Sequence, residues 1–455
     1  MEVGEKMKKI RLALAVCAVA CLARGADIKV PFEKYKLRNG MRVILSQDNS
    51  VPVVAVYMLY GVGARSEEKG RTGFAHLFEH MMFQGSANAP KGVHFKTVEA
   101  NGGSLNGSTH ADYTDYFEVL PSNKLAVGLW LESDRMRSLA ITEANLTNQK
   151  DAVKEERRLS FDNRPYNTAI IDVWPQLAFR NWQSSHSLIG SFEDLNSASV
   201  ADVAKFFKTY YAPNNAVLSV VGDIRLPEAK NWIETYFGDI PAQPQPKHPD
   251  LSEPAESTSR SEVHKDPLAR VPAVLMGWPG PVRRSPDYNA LVMADVVFTG
   301  GESSRFALNL VKGKQSVVSY EANPGWPFGN ASDYKDPGMY AMDLLYNPKF
   351  SAKEIVGQVE EEISKIQRNG VDMKELERAR TFLRAARIKE LQSALTRATL
   401  LAQYEMFDGK PDLITAELDT FLAVTPEQIQ AMVKKYLVPE KRVVLEIVPA
   451  PKEKK

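Results

Sequence analysis

Residues 73–82 read Gly73-Phe74-Ala75-His76-Leu77-Phe78-Glu79-His80-Met81-Met82, and the spacing predicts a short helix with two unlike sides. Positions four apart on a helix lie about 40° apart around the axis and one turn along it, so His76 and His80 project from one face. Glu79 lies about 60° to the other side of His76, which completes a polar patch. Phe74, Leu77, Phe78 and Met81 occupy the opposite side and are free to pack on a sheet. Two imidazoles one turn apart are a zinc-binding pair, and a neighbouring carboxylate that does not ligate is left to act as a base. The plain alternative is a helix whose His and Glu simply face water.

Outward from this helix the pattern alternates between strands and helices. Phe32 to Gln47 reads as a hairpin turning at Asn39-Gly40, and Val51 to Tyr60 as a near-continuous apolar strand. Ser104 to Thr109 and Asp112 to Leu120 read as two more strands, with amphipathic helices over Leu125–Ser138 and 143–161. In the last of these, helical phase puts Gln149, Ala152, Val153, Leu159 and Ser160 on the face of Glu156, whereas Lys150, Asp151, Lys154, Arg157 and Arg158 point elsewhere. Glu156 is thus expected inward and Glu155 outward. An inward carboxylate wants a partner, either a core Arg or Lys or a metal.

The chain also repeats itself. A helix at Val200 to Tyr211 leads through Pro213 into the strand 216–223, and Glu427 to Leu437 leads through Pro439 into the strand 442–448. Val51-Pro52 and Val271-Pro272 open two apolar strands at a similar offset, which implies a duplicated domain. Between the copies, residues 241–265 are rich in Pro, Ser and Glu without periodicity and read as a linker. The boundaries expected are a leader over 1–25, a first domain over 26–240 and a second over 266–455. In the second copy the counterpart of the His-bearing helix is Asp287 to Val297, which has no His, so only one half can hold the site.

Composition is that of an ordinary globular protein, with 44% hydrophobic and 25% charged residues in 455. Lys8, Lys9 and Arg11 precede an apolar run from Leu12 to Leu22, and Ala23-Arg24-Gly25 offers a small-residue cleavage site, the pattern of an export signal too short to anchor in a bilayer. Cleavage there removes five basic and two acidic residues and leaves a net charge of −2, which argues against a nucleic-acid partner. Both cysteines, Cys17 and Cys21, leave with the leader, so no disulfide framework is expected. Ala18-Val19-Ala20-Cys21 is also a weak lipoprotein box, with Cys21 as the lipid-bearing position. No later segment is long enough to span a membrane, and the periplasm is the expected location.

The stretches GFAHLFEHMMFQGS, GGSLNGSTHADYTDYF, QKDAVKEERRLSFDNRPY, YYAPNNAVLSVVGD and RATLLAQYEMFDG, in this order, resemble the pitrilysin (insulinase-like) family of zinc peptidases. These are inverzincins, whose signature is His-x-x-Glu-His, and the likeness is to bacterial two-domain members and the mitochondrial processing peptidase. The resemblance implies an α+β fold of two homologous domains, each an antiparallel sheet with helices mainly on one face. It implies one Zn²⁺ held by His76, His80 and Glu156, with Glu79 as base and Gln149 supporting the third ligand where many members have a carboxylate. His94 and His110 are competing ligand candidates; His186, His248 and His264 are expected at the surface or in the linker. Peptide substrate in an enclosed chamber would add a strand along the edge Leu105-Asn106-Gly107-Ser108. The family often places an Arg and a Tyr seven apart in the second half to hold the substrate carbonyl. Here those positions fall on Lys312 and Ser319, or on Tyr320 with a one-residue slip. A related chain in a homo- or heterodimer is then expected to supply the pair. The implied activity is a zinc endopeptidase, and the alternative is a non-catalytic or partner-dependent subunit.

Overall fold

The near-continuous apolar runs are the innermost strands, and they are apolar because both of their faces are covered. The computed structural model describes residues 29–254, 258–327, 329 and 331–450. The leader, with Cys17 and Cys21, lies outside the described residues. From Phe32 onward the chain is one compact unit containing two sheets.

The first sheet is built from β1 (Glu33–Lys36), β2 (Arg42–Gln47), β3 (Val53–Tyr60), β4 (Ser104–Thr109), β5 (Thr114–Pro121) and β6 (Ala216–Gly222). The second has β7 (Arg260–Asp266), β8 (Ala273–Pro279), β9 (Val317–Trp326), β10 (Met339–Tyr346) and β11 (Val443–Pro449). Their orders are β1-β2-β6-β3-β5-β4 and β7-β11-β8-β10-β9. Without β1 the two orders correspond strand for strand, so the duplication read from Pro213 and Pro439 is a duplication of topology. Each sheet is antiparallel apart from one parallel pair, β2 with β6 and β7 with β11. The stretch expected as linker ends early: residues 260–265 form most of β7, paired to β11, because Val263 and its neighbours complete an edge of the second sheet.

Each sheet keeps its own helices on one face and receives a helix from the other half on the opposite face. Helix Ala394–Asp408, which carries the stretch RATLLAQYEMFDG, lies across β3 and β6 of the first sheet. In return, Ala169, Trp174, Ala178 and Phe179 from the first half form a core with Leu275, Ala341, Leu445 and Ile447 of the second sheet. Gly277 makes room for this exchange, since a Cβ there would stand 2.8 Å from the Trp174 ring.

Candidate metal centre

The His-bearing helix spans Phe74–Met81 and buries Phe74, Leu77, Phe78 and Met81 in the first core, as its phase requires. It starts at Gly73, whose φ of 80° suits glycine, and a Cβ there would meet the Ile189 carbonyl oxygen at 2.6 Å. Gly73 has no side chain to cap the helix. The carboxylate of Glu67 does so instead, accepting N–H bonds from Gly73 at 3.0 Å and Ala75 at 2.8 Å.

The helix Glu143–Arg157 brings Glu156 to this face. Glu156 Oε2 lies 3.2 Å from His80 Nε2 and 3.6 Å from His76 Nε2. Three donors on a tetrahedral zinc at about 2.0 to 2.1 Å would stand roughly 3.3 to 3.4 Å apart, so the separations and the His₂Glu donor set both fit that ion. His80 Nδ1 sits 3.3 Å from Gln149 Oε1, which leaves Nε2 for a metal. Glu155 points outward, as expected. Leu159, expected inward, is exposed. After Arg157 the helix widens to a five-residue turn, with Asn163 N–H bonded to Arg158 C=O at 2.9 Å, and the phase slips.

Glu79 stands aside from the three donors and accepts a 2.6 Å hydrogen bond from the Thr109 hydroxyl at the end of β4. Burial pushes its carboxyl up to about 7 against that hydrogen bond. Burial, then the charge of His80, lowers His76 to about 4, so its imidazole is neutral at neutral pH. Burial also pulls on His80, but its hydrogen bond to Glu156 and the charge of Glu79 outweigh it and raise the ring. The bond from His80 holds Glu156 below the usual carboxylate range.

The stretch Leu105-Asn106-Gly107-Ser108 is in β4, which ends the first sheet and pairs with β5 alone among the described strands. Beside Thr109 opens a cavity of about 350 Å³ walled by Phe161, Ile170, Ile171, Leu188 and Trp326.

The remaining candidates lie elsewhere. His94 is buried against Glu118 at 2.8 Å. Arg135 joins that cluster through Glu132 and supplies its positive charge. His110 stacks on Tyr113 and meets Ser108 Oγ at 2.9 Å. Lys312 pairs with Glu302, and the Tyr320 hydroxyl is 3.0 Å from Ser304 Oγ, so the contacts of both lie within the second half. Ser319 follows Val318 on the exposed edge strand β9. His248 is exposed and His264 lies in β7. His186 corrects its expectation: its side chain is only 7% exposed and lies 3.0 Å from Glu67. Sequence reasoning missed Glu67, Thr109 and His186, whose partners are brought together only by the fold; the uncapped Gly73 was the one local hint that Glu67 was needed.

Two family models match adjoining stretches, insulinase (peptidase family M16) over residues 42–191 and the peptidase M16 inactive domain over residues 197–383. The chain belongs to the pitrilysin, or M16, peptidase family. It is 27% identical over 414 residues to the zinc protease PqqE of Helicobacter pylori, covering 87% of this chain and 89% of the relative. The crystal structure of a protease from Helicobacter pylori superimposes with a TM-score of 0.86 at 24% identity, covering 92% of this chain and 100% of that one. Human cytochrome b-c1 complex subunit 1 is 24% identical over 284 residues, 62% of this chain and 58% of that protein. Similarity therefore runs both to proteins named proteases and to a subunit of the cytochrome b-c1 complex. No helix among the described residues is long and apolar enough to cross a membrane.

Proposed function

We propose that this M16 protein is a zinc-dependent endopeptidase acting on peptides or small unfolded chains. The observation that carries the reading is the convergence of His76, His80 and Glu156 at zinc-like separations with Glu79 beside them and outside the donor set. Zinc held there would supply a Lewis acid that polarises the scissile carbonyl and lowers the pKa of water. Glu79, beside the three donors and outside their set, takes the proton from an attacking water and returns it to the leaving nitrogen. The unpaired edge Leu105–Ser108 receives the peptide as an added strand, and Thr109 at its end registers that strand against Glu79. Residues walling the neighbouring cavity keep water from one substrate side chain.

The second half offers no free carbonyl clamp at Lys312 or Tyr320, whose polar ends are engaged by Glu302 and Ser304. That favours a second, related chain completing an enclosed chamber, in a homo- or heterodimer. The leader-like residues 1–25 support export to the periplasm, with lipidation at Cys21 as a variant of it. Glu79→Gln decides between peptidase and scaffold: it keeps zinc and loses hydrolysis in the first case, and alters no function in the second.

A further inference from the structure

We propose that Glu67 and a protonated His186 form a buried anchor that sets the position of the metal-bearing helix against the helix of Glu156; the inference rests on reading that cluster as a zinc site. The helix Phe74–Met81 has only eight residues and enters through a left-handed glycine, so its own sequence fixes its start poorly. Glu67, fully buried, takes its first free N–H groups.

His186 faces acceptors on both sides of its ring. Nδ1 is 3.0 Å from the Trp182 carbonyl oxygen, and Nε2 is 3.0 Å from both the Ala64 carbonyl oxygen and Glu67 Oε2. Backbone carbonyl oxygens only accept, and one faces each ring nitrogen, so both nitrogens carry hydrogen and the ring is an imidazolium whose charge meets Glu67. It stacks on Trp182 at 4.2 Å, a face that favours a cation. The same segment reaches the other helix: Arg157, next to Glu156, donates to the Gly190 carbonyl at 2.6 Å, and Gly190 packs on the backbone of Gly73. One stretch, residues 182–190, therefore holds both helices that supply metal donors. Glu67 and His186 are positioning residues, acting through the backbone of Gly73 and Ala75.

The test measures zinc affinity of the full chain by chelator competition, with the visible spectrum of the cobalt-substituted protein as a second readout. Glu67→Gln and His186→Gln are each expected to weaken zinc binding about ten- to a hundredfold and to alter the cobalt spectrum. Asp295→Asn, a buried change in the second half, should leave both readouts at wild-type values. Should Glu67→Gln fail to fold, His186→Gln, which keeps a donor toward Glu67, decides. Folded variants with wild-type zinc affinity and cobalt spectrum overturn the anchor. A wild-type chain that binds no zinc overturns the metal reading itself, and the anchor with it.

Discussion

The two halves share one strand order and differ in what they place between the same three elements. In the first half, helix Phe74–Met81, edge strand β4 and helix Glu143–Arg157 converge on two imidazoles and a carboxylate. In the second, helix Pro286–Thr299, edge strand β9 and helix Met373–Glu390 border a cavity of about 340 Å³. Its walls include Val292, Ala322, Phe382 and Leu383. Two of its acidic walls are engaged: Asp295 accepts from the Tyr340 hydroxyl at 3.0 Å, and Glu417 accepts from Arg387 at 3.0 Å. A shared backbone therefore does not by itself assemble the donor set: the first half holds those side chains, and the second half contributes a helix that covers the first sheet.

Substitutions in either half can break or sharpen this contrast. The largest effect belongs to Glu79→Gln, expected to lower kcat/KM by about 10²- to 10⁴-fold while zinc content is unchanged. Parallel assays of hydrolysis and metal content check it. Next is Trp174→Ala, which empties the pocket over Gly277 where the halves interlock. It should cost about 3–5 kcal/mol of stability in denaturant melts, with the zinc donors untouched.

Asp295 gives a smaller, pH-dependent effect. Burial pushes its carboxyl from 3.8 up to about 7, so it is held neutral in the fold. Its stabilising contribution is full below 3.8, where the unfolded chain is also protonated, and is lost as pH rises through the folded value near 7. Asp295→Asn should therefore gain thermal stability relative to wild type as pH rises from about 4 to about 7, seen as a narrowing or reversed gap between the two melting temperatures. The smallest effect is expected for Tyr320→Phe. With its hydroxyl engaged by Ser304, kcat/KM should change less than about threefold; a larger loss would return Tyr320 to the substrate.

Much of the candidate site was legible in the sequence because it is local. Two imidazoles and a carboxylate on eight residues need only helical periodicity, and Glu156 followed from the phase of its own helix. That phase held as far as the helix stayed regular and failed at Leu159, inside the widened turn. The duplication was visible through its prolines, since Pro213 and Pro439 occupy the same turn before β6 and β11. What periodicity reports is that a surface is apolar, not which element covers it. The runs of β3 and β8 read as apolar strands, yet only the fold shows that Ala394–Asp408 and Trp174 come from opposite halves to cover their second faces. His186 was misplaced for the same reason: its partners, Ala64 and Glu67, lie about 120 positions away in sequence.

Zinc stoichiometry measured on purified chains tests the account most directly, comparing wild type with the His76→Ala, His80→Ala double variant and with His94→Ala. One zinc per chain is predicted for wild type and for His94→Ala, and none for the double variant. Zinc retained at one per chain without His76 and His80, or lost with His94 alone, would contradict it.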